Sequence, residues 1–155
     1  MKILIAVDGS KSSQAAIRMI ARHFQRKGTE VRVLHVIAPI RAYVSVDLIP
    51  HVVPKVEAIE QDRRRQAKQL VDRAARQLAK AGFKASGVVE EGDPKVEIVD
   101  LAERWRADLI VVGSHGAKGL GRFLLGSVSE SVSHHAGCSV EIVRSSRRGE
   151  RTEKG

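Results

Sequence analysis

Apolar residues along this chain form short, nearly continuous runs separated by longer amphipathic stretches. Apolar-rich stretches occupy residues 1–7, 30–37, 84–90, 109–112 and 138–143; the first and fourth are nearly continuous aliphatic runs, and the third is interrupted by Gly87. A short aliphatic run without polar alternation is typical of a parallel strand that is covered on both faces. The pattern therefore predicts five β-strands.

The stretches between these runs carry apolar residues at helical spacing. Serines at positions 10, 12 and 13 offer N-caps for a first helix, and Asp93-Pro94 begins a third that runs to Arg106. A long second helix is expected over about 55–81, and a fourth from Ser127 to about His135. Strands that alternate with helices predict an α/β fold, with a parallel sheet and helices on both faces.

Residues 38–54 fit neither pattern, because Pro39, Pro50 and Pro54 divide them. A loop of this length inside a compact domain is usually a functional lid or a mobile segment. The sequence leaves its role open.

Composition favours a single aliphatic domain. The chain has 155 residues, 43% of them hydrophobic but only 3% aromatic, and one cysteine, Cys138, which we expect to pack as a small apolar residue. We find no membrane span and no signal peptide, so we predict a cytoplasmic protein.

The formal net charge of +9 raises the question of a polyanionic partner. The tail RSSRRGERTEKG is predicted to be disordered, and solvated surface is favoured over nonspecific binding to nucleic acid or to an anionic membrane. Because the interleaved aromatics of RNA-binding sheets are absent, nucleic acid is an unlikely partner.

Two of the predicted strands end in residues that could bind a ligand. The first strand ends in Asp8-Gly9-Ser10, and the fourth in Gly113-Ser114-His115-Gly116. In an open parallel sheet, ligands bind beyond the carboxyl ends of the strands, where the strand order reverses. The glycine-bearing loop after the fourth strand leads to a helix start at Gly126-Ser127, an arrangement typical of anion pockets.

The sequence of this loop does not match either of two common phosphate-binding motifs. A P-loop needs lysine after the second glycine, but Gly126 is followed by Ser127 and Val128. A dinucleotide fingerprint that starts at Gly119 would need glycine at position 124, which is Leu124. The spacing that remains is Gly113-x2-Gly116-x9-Gly126-Ser127.

With this spacing the chain resembles the ATP-binding branch of the universal stress protein family, which is marked by G-x2-G-x9-G followed by Ser or Thr. The resemblance extends to IAVDGS, LHV, EGDP and ADLIVVGSHG. It implies a universal stress protein domain over residues 1–144, followed by a basic tail over 145–155, and a Rossmann-like sheet of order 3-2-1-4-5.

The resemblance also implies an adenine nucleotide, ATP or a relative, between strands one and four. Asp8 would lie by the ribose or hold Mg²⁺ on the phosphates, Val36 would meet adenine, and Gly113 and Gly116 would pass close to the ribose and α-phosphate. The β- and γ-phosphates would lie against residues 126–129. The full predicted set is Ala6, Val7, Asp8, Val36, Val112, Gly113, His115, Gly116, Gly126, Ser127, Val128 and Ser129.

Simpler roles compete with some of these assignments. Ser127 and Glu130 fit a capping box, so Ser127 can cap its helix with or without phosphate. Asp8 can be a turn residue. Lys118 and Arg122 are plausible phosphate partners, but they are equally well explained as solvated charges. His134 and His135 fit a favourable interaction with the carboxyl end of their helix. No Ser-His-Asp or Cys-His combination in the sequence indicates a catalytic site.

The resemblance implies a homodimer through the last strand, 138–143, where Glu141 replaces an apolar residue that is common in the family. We therefore predict a cytoplasmic, ATP-binding stress-response protein that senses or signals nucleotide state and is at most a slow ATPase. The alternatives are a regulator that binds AMP or cyclic AMP, and an adenylating enzyme of the same superfold. A third hypothesis is an interaction module that acts through the basic surface.

Overall fold

The structure, a computed structural model, describes residues 1–39, 49–116 and 125–145, and of residues 49–55 the backbone alone. Nine elements follow one another in these ranges. They are β1 (Lys2–Ala6), α1 (Lys11–His23), β2 (Glu30–Ile37), α2 (Ile49–Lys80), β3 (Lys84–Glu91), α3 (Pro94–Trp105), β4 (Leu109–Gly113), α4 (Ser127–His135) and β5 (Ser139–Val143).

The strands form one parallel sheet in the order β3-β2-β1-β4-β5. This confirms the predicted fold class and strand order. β1 lies at the centre, with Ile5 paired to Val33 of β2 and to Val111 of β4. The strand order reverses between β1 and β4, which is the position where such sheets bind ligands.

Two apolar cores lie on opposite faces of the sheet. On one face Ile3 and Ile5 pack with Ile20 of α1 and Leu78 of α2. On the other face lies a core formed by Leu4, Leu34, Ile98, Leu101, Trp105, Ile110 and Val132. The aliphatic composition is therefore divided between two helical layers, as the alternation of elements predicts.

Side-chain caps explain where two of the helices, α1 and α3, begin. Ser10 is the N-cap of α1 and its hydroxyl accepts from Ser13 N at 3.1 Å, and the carboxylate of Asp93 caps α3 by accepting from Lys95 N at 2.9 Å. The capping box predicted at Ser127 is wrong. Gly126 is the N-cap of α4, without a side-chain cap, and Ser127 is the first helical residue.

The interpretation of residues 38–54 as one long loop is also wrong at its end, because α2 begins at Ile49. Pro50 lies where the helical N–H has no partner, so proline does not prevent the start. Residues 40–48 and the tail beyond 145 lie outside the described residues, as do Lys118 and Arg122. In the described part of the chain, no helix is long and apolar enough to cross a membrane.

Cys138 lies just before β5 and is partly buried against the core on the α3 and α4 side. Burial raises the pKa of its thiol, and the nearby Asp108 carboxylate raises it further. Both observations agree with the predicted packing role. At the end of α4, His135 Nδ1 lies 2.8 Å from the carbonyl of Ser131, as expected for a histidine near a helix terminus.

Candidate functional site

A cavity of about 410 Å³ opens at the carboxyl ends of β1, β2 and β4. All twelve residues predicted for the site line it. Five residues that the sequence did not indicate line it as well: Ser13, Leu34, His35, Pro94 and Ile98. Leu34 lies two residues before Val36, so the period of a strand could have identified it.

One wall of the cavity is apolar. It is formed by the side chains of Leu34, Val36, Ile98, Val112 and Val128, which belong to the core under α3 and α4 or pack against it. This wall is therefore fixed by the packing of the core, and it suits a flat, mostly apolar group such as a nucleobase.

The polar part of the cavity lining includes Asp8. Asp8 Oδ1 accepts a hydrogen bond from Ser10 N at 2.9 Å, so the residue does form the turn that leads into α1. Its exposed side chain also lines the cavity. A Cβ at Gly116 would lie 3.1 Å from Asp8 Oδ2, which shows how closely the β4 loop approaches this carboxylate.

The β4 loop is tied to the start of α1 by serine hydroxyls. The carbonyl of His115 accepts from Ser12 Oγ and, at 3.4 Å, from Ser10 Oγ. A Cβ at Gly113 would lie 2.7 Å from Ser12 Oγ and 2.9 Å from Ser13 N. The close approach of α1 therefore requires glycine at position 113, whether or not a ligand is present.

The two ends of the loop between β4 and α4 meet beside the cavity. Gly126 N donates to the carbonyl of Ser114 at 2.8 Å, and the buried Ser129 hydroxyl donates to the carbonyl of Gly126 at 2.8 Å. The first intrahelical bond of α4 runs from Glu130 N to Gly126 O, so the N–H groups of residues 127–129 have no acceptor within the helix. The positive end of α4 thus lies at the polar side of the cavity.

Two histidines also line the cavity. His115 Nδ1 lies 2.9 Å from Ser114 Oγ, and its buried Nε2 has no hydrogen-bond partner among the described residues. His35 Nδ1 lies 2.7 Å from the carbonyl of Val7, the residue directly before Asp8. His35 thereby joins β2 to the peptide that precedes Asp8. No local pattern around His35 indicates this role, because the contact depends on the pairing of β1 with β2.

Metal-binding groups in the described part of the chain are few. No cluster of three or more His, Cys, Asp or Glu residues occurs there. Among the described residues that line the cavity, Asp8 is the one carboxylate. A cation here would therefore take most of its ligands from phosphate oxygens and water, as Mg²⁺ commonly does.

Comparisons with known proteins give a consistent result. The sequence profile of the universal stress protein family matches residues 1–144. The universal stress protein YxiE of Bacillus subtilis is 30% identical over 147 residues, covering 92% of this chain and 98% of YxiE. The universal stress protein MJ0577 of Methanocaldococcus jannaschii is 32% identical over 152 residues, covering 92% of this chain and 94% of MJ0577.

Solved structures show the same likeness. The structure of MJ0577 superposes with a TM-score of 0.81 at 29% sequence identity, covering 94% of this chain and 96% of that one. A universal stress protein from Archaeoglobus fulgidus, solved in complex with dAMP, gives a TM-score of 0.63 at 25% identity and covers 92% of this chain and 97% of that one.

Proposed function

We propose that this chain, which belongs to the universal stress protein family, binds an adenine nucleotide in the cavity between β1 and β4 and responds to nucleotide state as a cytoplasmic stress-response protein. The observation that carries the proposal is the two-sided cavity. It joins an apolar wall to a carboxylate and a helix N-terminus at the point where the strand order reverses. The dAMP complex of the Archaeoglobus relative supports this class of ligand.

The lining of the cavity supports one orientation of the nucleotide in this proposal. The adenine ring lies against the apolar wall near Val36 and Ile98, which brings the ribose and the phosphates towards Asp8. The phosphates reach residues 126–129, where the helix dipole favours negative charge and the backbone N–H groups of residues 127–129 have no acceptor within the helix. ATP fills both ends of the site, whereas AMP or cyclic AMP fills less of the phosphate side.

Mg²⁺ on the phosphates fits the donor set. Asp8 supplies one carboxylate, and Mg²⁺ typically combines one or two carboxylates with substrate phosphates and water. We assign Asp8 the role of this ligand. The bound ion would neutralise phosphate charge, while the protein orients the nucleotide and signals its presence, with at most slow hydrolysis.

We further propose a homodimer through β5. This strand lies at the edge of the sheet, opposite β3, and pairs with β4 along residues 139–143. An edge strand offers backbone N–H and C=O groups to a second copy, and antiparallel pairing across a two-fold axis would extend the sheet. Analytical ultracentrifugation tests this part separately, and a monomer at all concentrations would refute it.

Isothermal titration with ATP, AMP and cyclic AMP tests the nucleotide proposal. The folded protein should bind at least one of them, and Gly116→Val should abolish the binding, because a Cβ there already approaches Asp8 Oδ2 within 3.1 Å. The larger side chain would displace the Asp8 carboxylate or block the ligand.

Gly137→Val provides the matched control. Gly137 lies in the turn before β5, and the nearest atom to a Cβ there is 3.8 Å away. This variant should bind nucleotide as the native chain does. If the native protein binds none of the three nucleotides, the proposal fails; if cyclic AMP alone binds, the protein is a cyclic nucleotide regulator and not an ATP sensor.

A further inference from the structure

The positive charge of the chain is concentrated in two helical segments on one side of the sheet. Residues 9–29, which include α1, contain five Lys or Arg residues and no Asp or Glu. Residues 63–83, which include most of α2, contain seven Lys or Arg residues and one acidic residue, Asp72. Composition alone shows the excess charge, but only the fold shows that the two segments lie together.

α1 and α2 cover the same face of the sheet and share one core. Arg26 Nε, just after α1, donates to the carbonyl of Ala81, just after α2, at 2.6 Å. The outward sides of the two helices therefore form one continuous surface.

Helical spacing aligns the exposed cations on this surface. On α1 the pair is Arg18 and Arg22, four residues apart. On α2, Arg65, Arg73, Arg76 and Lys80 fall on one exposed stripe. We call these six side chains, Arg18, Arg22, Arg65, Arg73, Arg76 and Lys80, the basic face.

Among the residues that the structure describes, the cations of the basic face have no acidic partner. The ion pairs formed within the described ranges involve Arg64, Lys68, Lys84 and Arg104, and none of the six. Asp72, the acidic residue of this stretch of α2, pairs with Lys68 at 3.0 Å. The six charges are thus available to an external anion.

The helical layer on the other face of the sheet, formed by α3 and α4, contains more acidic than basic residues. Residues 93–108, which contain α3, hold five Asp or Glu residues and three Lys or Arg residues. α4 adds Glu130 and no Lys or Arg. The molecule is therefore polarised across its sheet, and a polyanion would meet it in one orientation.

We propose that the basic face binds the phosphate backbone of double-stranded nucleic acid. The stripe from Arg65 to Lys80 is about 22 Å long at 1.5 Å per residue, and a B-form duplex presents a phosphate charge about every 1.7 Å along its axis. A rigid row of cations of this length can contact several phosphates at once. This revises the expectation that nucleic acid is an unlikely partner.

Other polyanions fit the basic face less well. Membrane-surface helices insert large apolar side chains, and the exposed large apolar residues of the described chain (Met1, Ile59, Val96 and Leu125) all lie outside the two basic segments. Single strands need aromatic side chains for base stacking. The one aromatic residue in 9–29 is the partly buried Phe24, and Phe83 is buried in the core.

Fluorescence anisotropy with a labelled duplex of random sequence, DNA in one arm and RNA in the other, tests the proposal. If all six cations meet phosphates, the logarithm of the binding constant should fall with the logarithm of salt concentration with a slope of about −5. Affinity would then drop about a thousandfold between roughly 50 and 200 mM salt. Arg73→Gln/Arg76→Gln should reduce the steepness of the slope by about 2.

Lys95→Gln/Arg106→Gln is the matched control, because it removes the same charge from the α3 layer. This variant should leave the salt dependence of duplex binding unchanged within experimental error. Gly116→Val, which is expected to lose nucleotide binding, should bind duplex normally. That result would separate duplex binding from the nucleotide site. Equal weakening by both double variants would overturn the proposal. So would tighter binding to anionic vesicles, to single strands or to polyglutamate than to the duplex, or no duplex binding at low salt.

Discussion

Asp8 combines two roles at the level of a single residue. Its Oδ1 accepts from Ser10 N at 2.9 Å, which forms the turn into α1, and its exposed carboxylate lines the cavity. The sequence offered these as alternatives. The structure shows them to be compatible, because one oxygen satisfies the turn while the other approaches Gly116.

Asp8→Asn separates the two roles. The amide oxygen of Asn can still accept from Ser10 N, so thermal stability should change little, but the negative charge is lost. If Asp8 is the Mg²⁺ ligand, affinity for ATP with Mg²⁺ should fall by about 10- to 150-fold, which corresponds to the roughly 1.5–3 kcal/mol that a hydrogen bond to a charged group contributes. In EDTA, affinity should stay equal or rise because a repulsive charge is gone. Titration calorimetry measures both, and an unchanged ratio of the two affinities would contradict the assignment.

The sequence could predict the site residues that follow the apolar runs. It could not always predict why a given residue type is needed at its position. Gly113 was assigned to close ligand approach, whereas the structure shows that a Cβ there would collide with Ser12 and Ser13 of α1. His35 was missed, because its contact with Val7 joins two strands that are distant in sequence. Roles that depend on tertiary neighbours leave no local pattern.

At the level of elements, α1 and α4 begin in different ways beside the same cavity. Ser10 caps α1 through a side-chain bond from Ser13 N at 3.1 Å. α4 has Gly126 as its N-cap and no side-chain cap, and Ser127 is exposed in its first turn. A ligand phosphate could therefore take the place that a capping side chain occupies in α1.

Matched serine variants test this difference. Ser10→Ala removes a cap and should lower the free energy of unfolding by about 1 kcal/mol. Ser127→Ala removes no cap and should change it by less than about 0.5 kcal/mol, while it weakens the binding of ATP more than that of adenosine. Urea unfolding and nucleotide titration provide the measurements. A large loss of stability in Ser127→Ala, with unchanged nucleotide affinity, would restore the capping role to Ser127.

The sequence predicted the strands well and the start of α2 poorly. Strands buried on both faces are continuous aliphatic runs, so their limits are visible to within a residue or two. The start of α2 at Ile49 was hidden, because Pro50 and Pro54 suggested a loop. Proline is compatible with the first turn of a helix, where N–H groups have no acceptor, so a proline marks a helix boundary less well than an apolar run marks a strand.

For the whole molecule, the alternation of elements predicted the architecture, but the strand order came from the family resemblance. Local periodicity does not say which strands are neighbours. The charge distribution was equally hidden, since residues 30–62 separate the two basic segments in sequence and the segments meet only in the fold. In both cases the missing information was the spatial arrangement of correctly predicted elements.

The cavity takes its walls from both helical layers and from three strands, so a bound nucleotide should stabilise the whole fold. The bridging elements include α1, α3, α4 and the ends of β1, β2 and β4. A ligand at about 100 times its dissociation constant adds about 2.7 kcal/mol, which corresponds to a rise in Tm of roughly 5–10 °C for a chain of this size. Differential scanning calorimetry with ATP and Mg²⁺ should show this rise as a single transition. Gly137→Val should show the same rise and Gly116→Val none. An equal rise in both variants would mean that ATP stabilises the protein from outside the cavity.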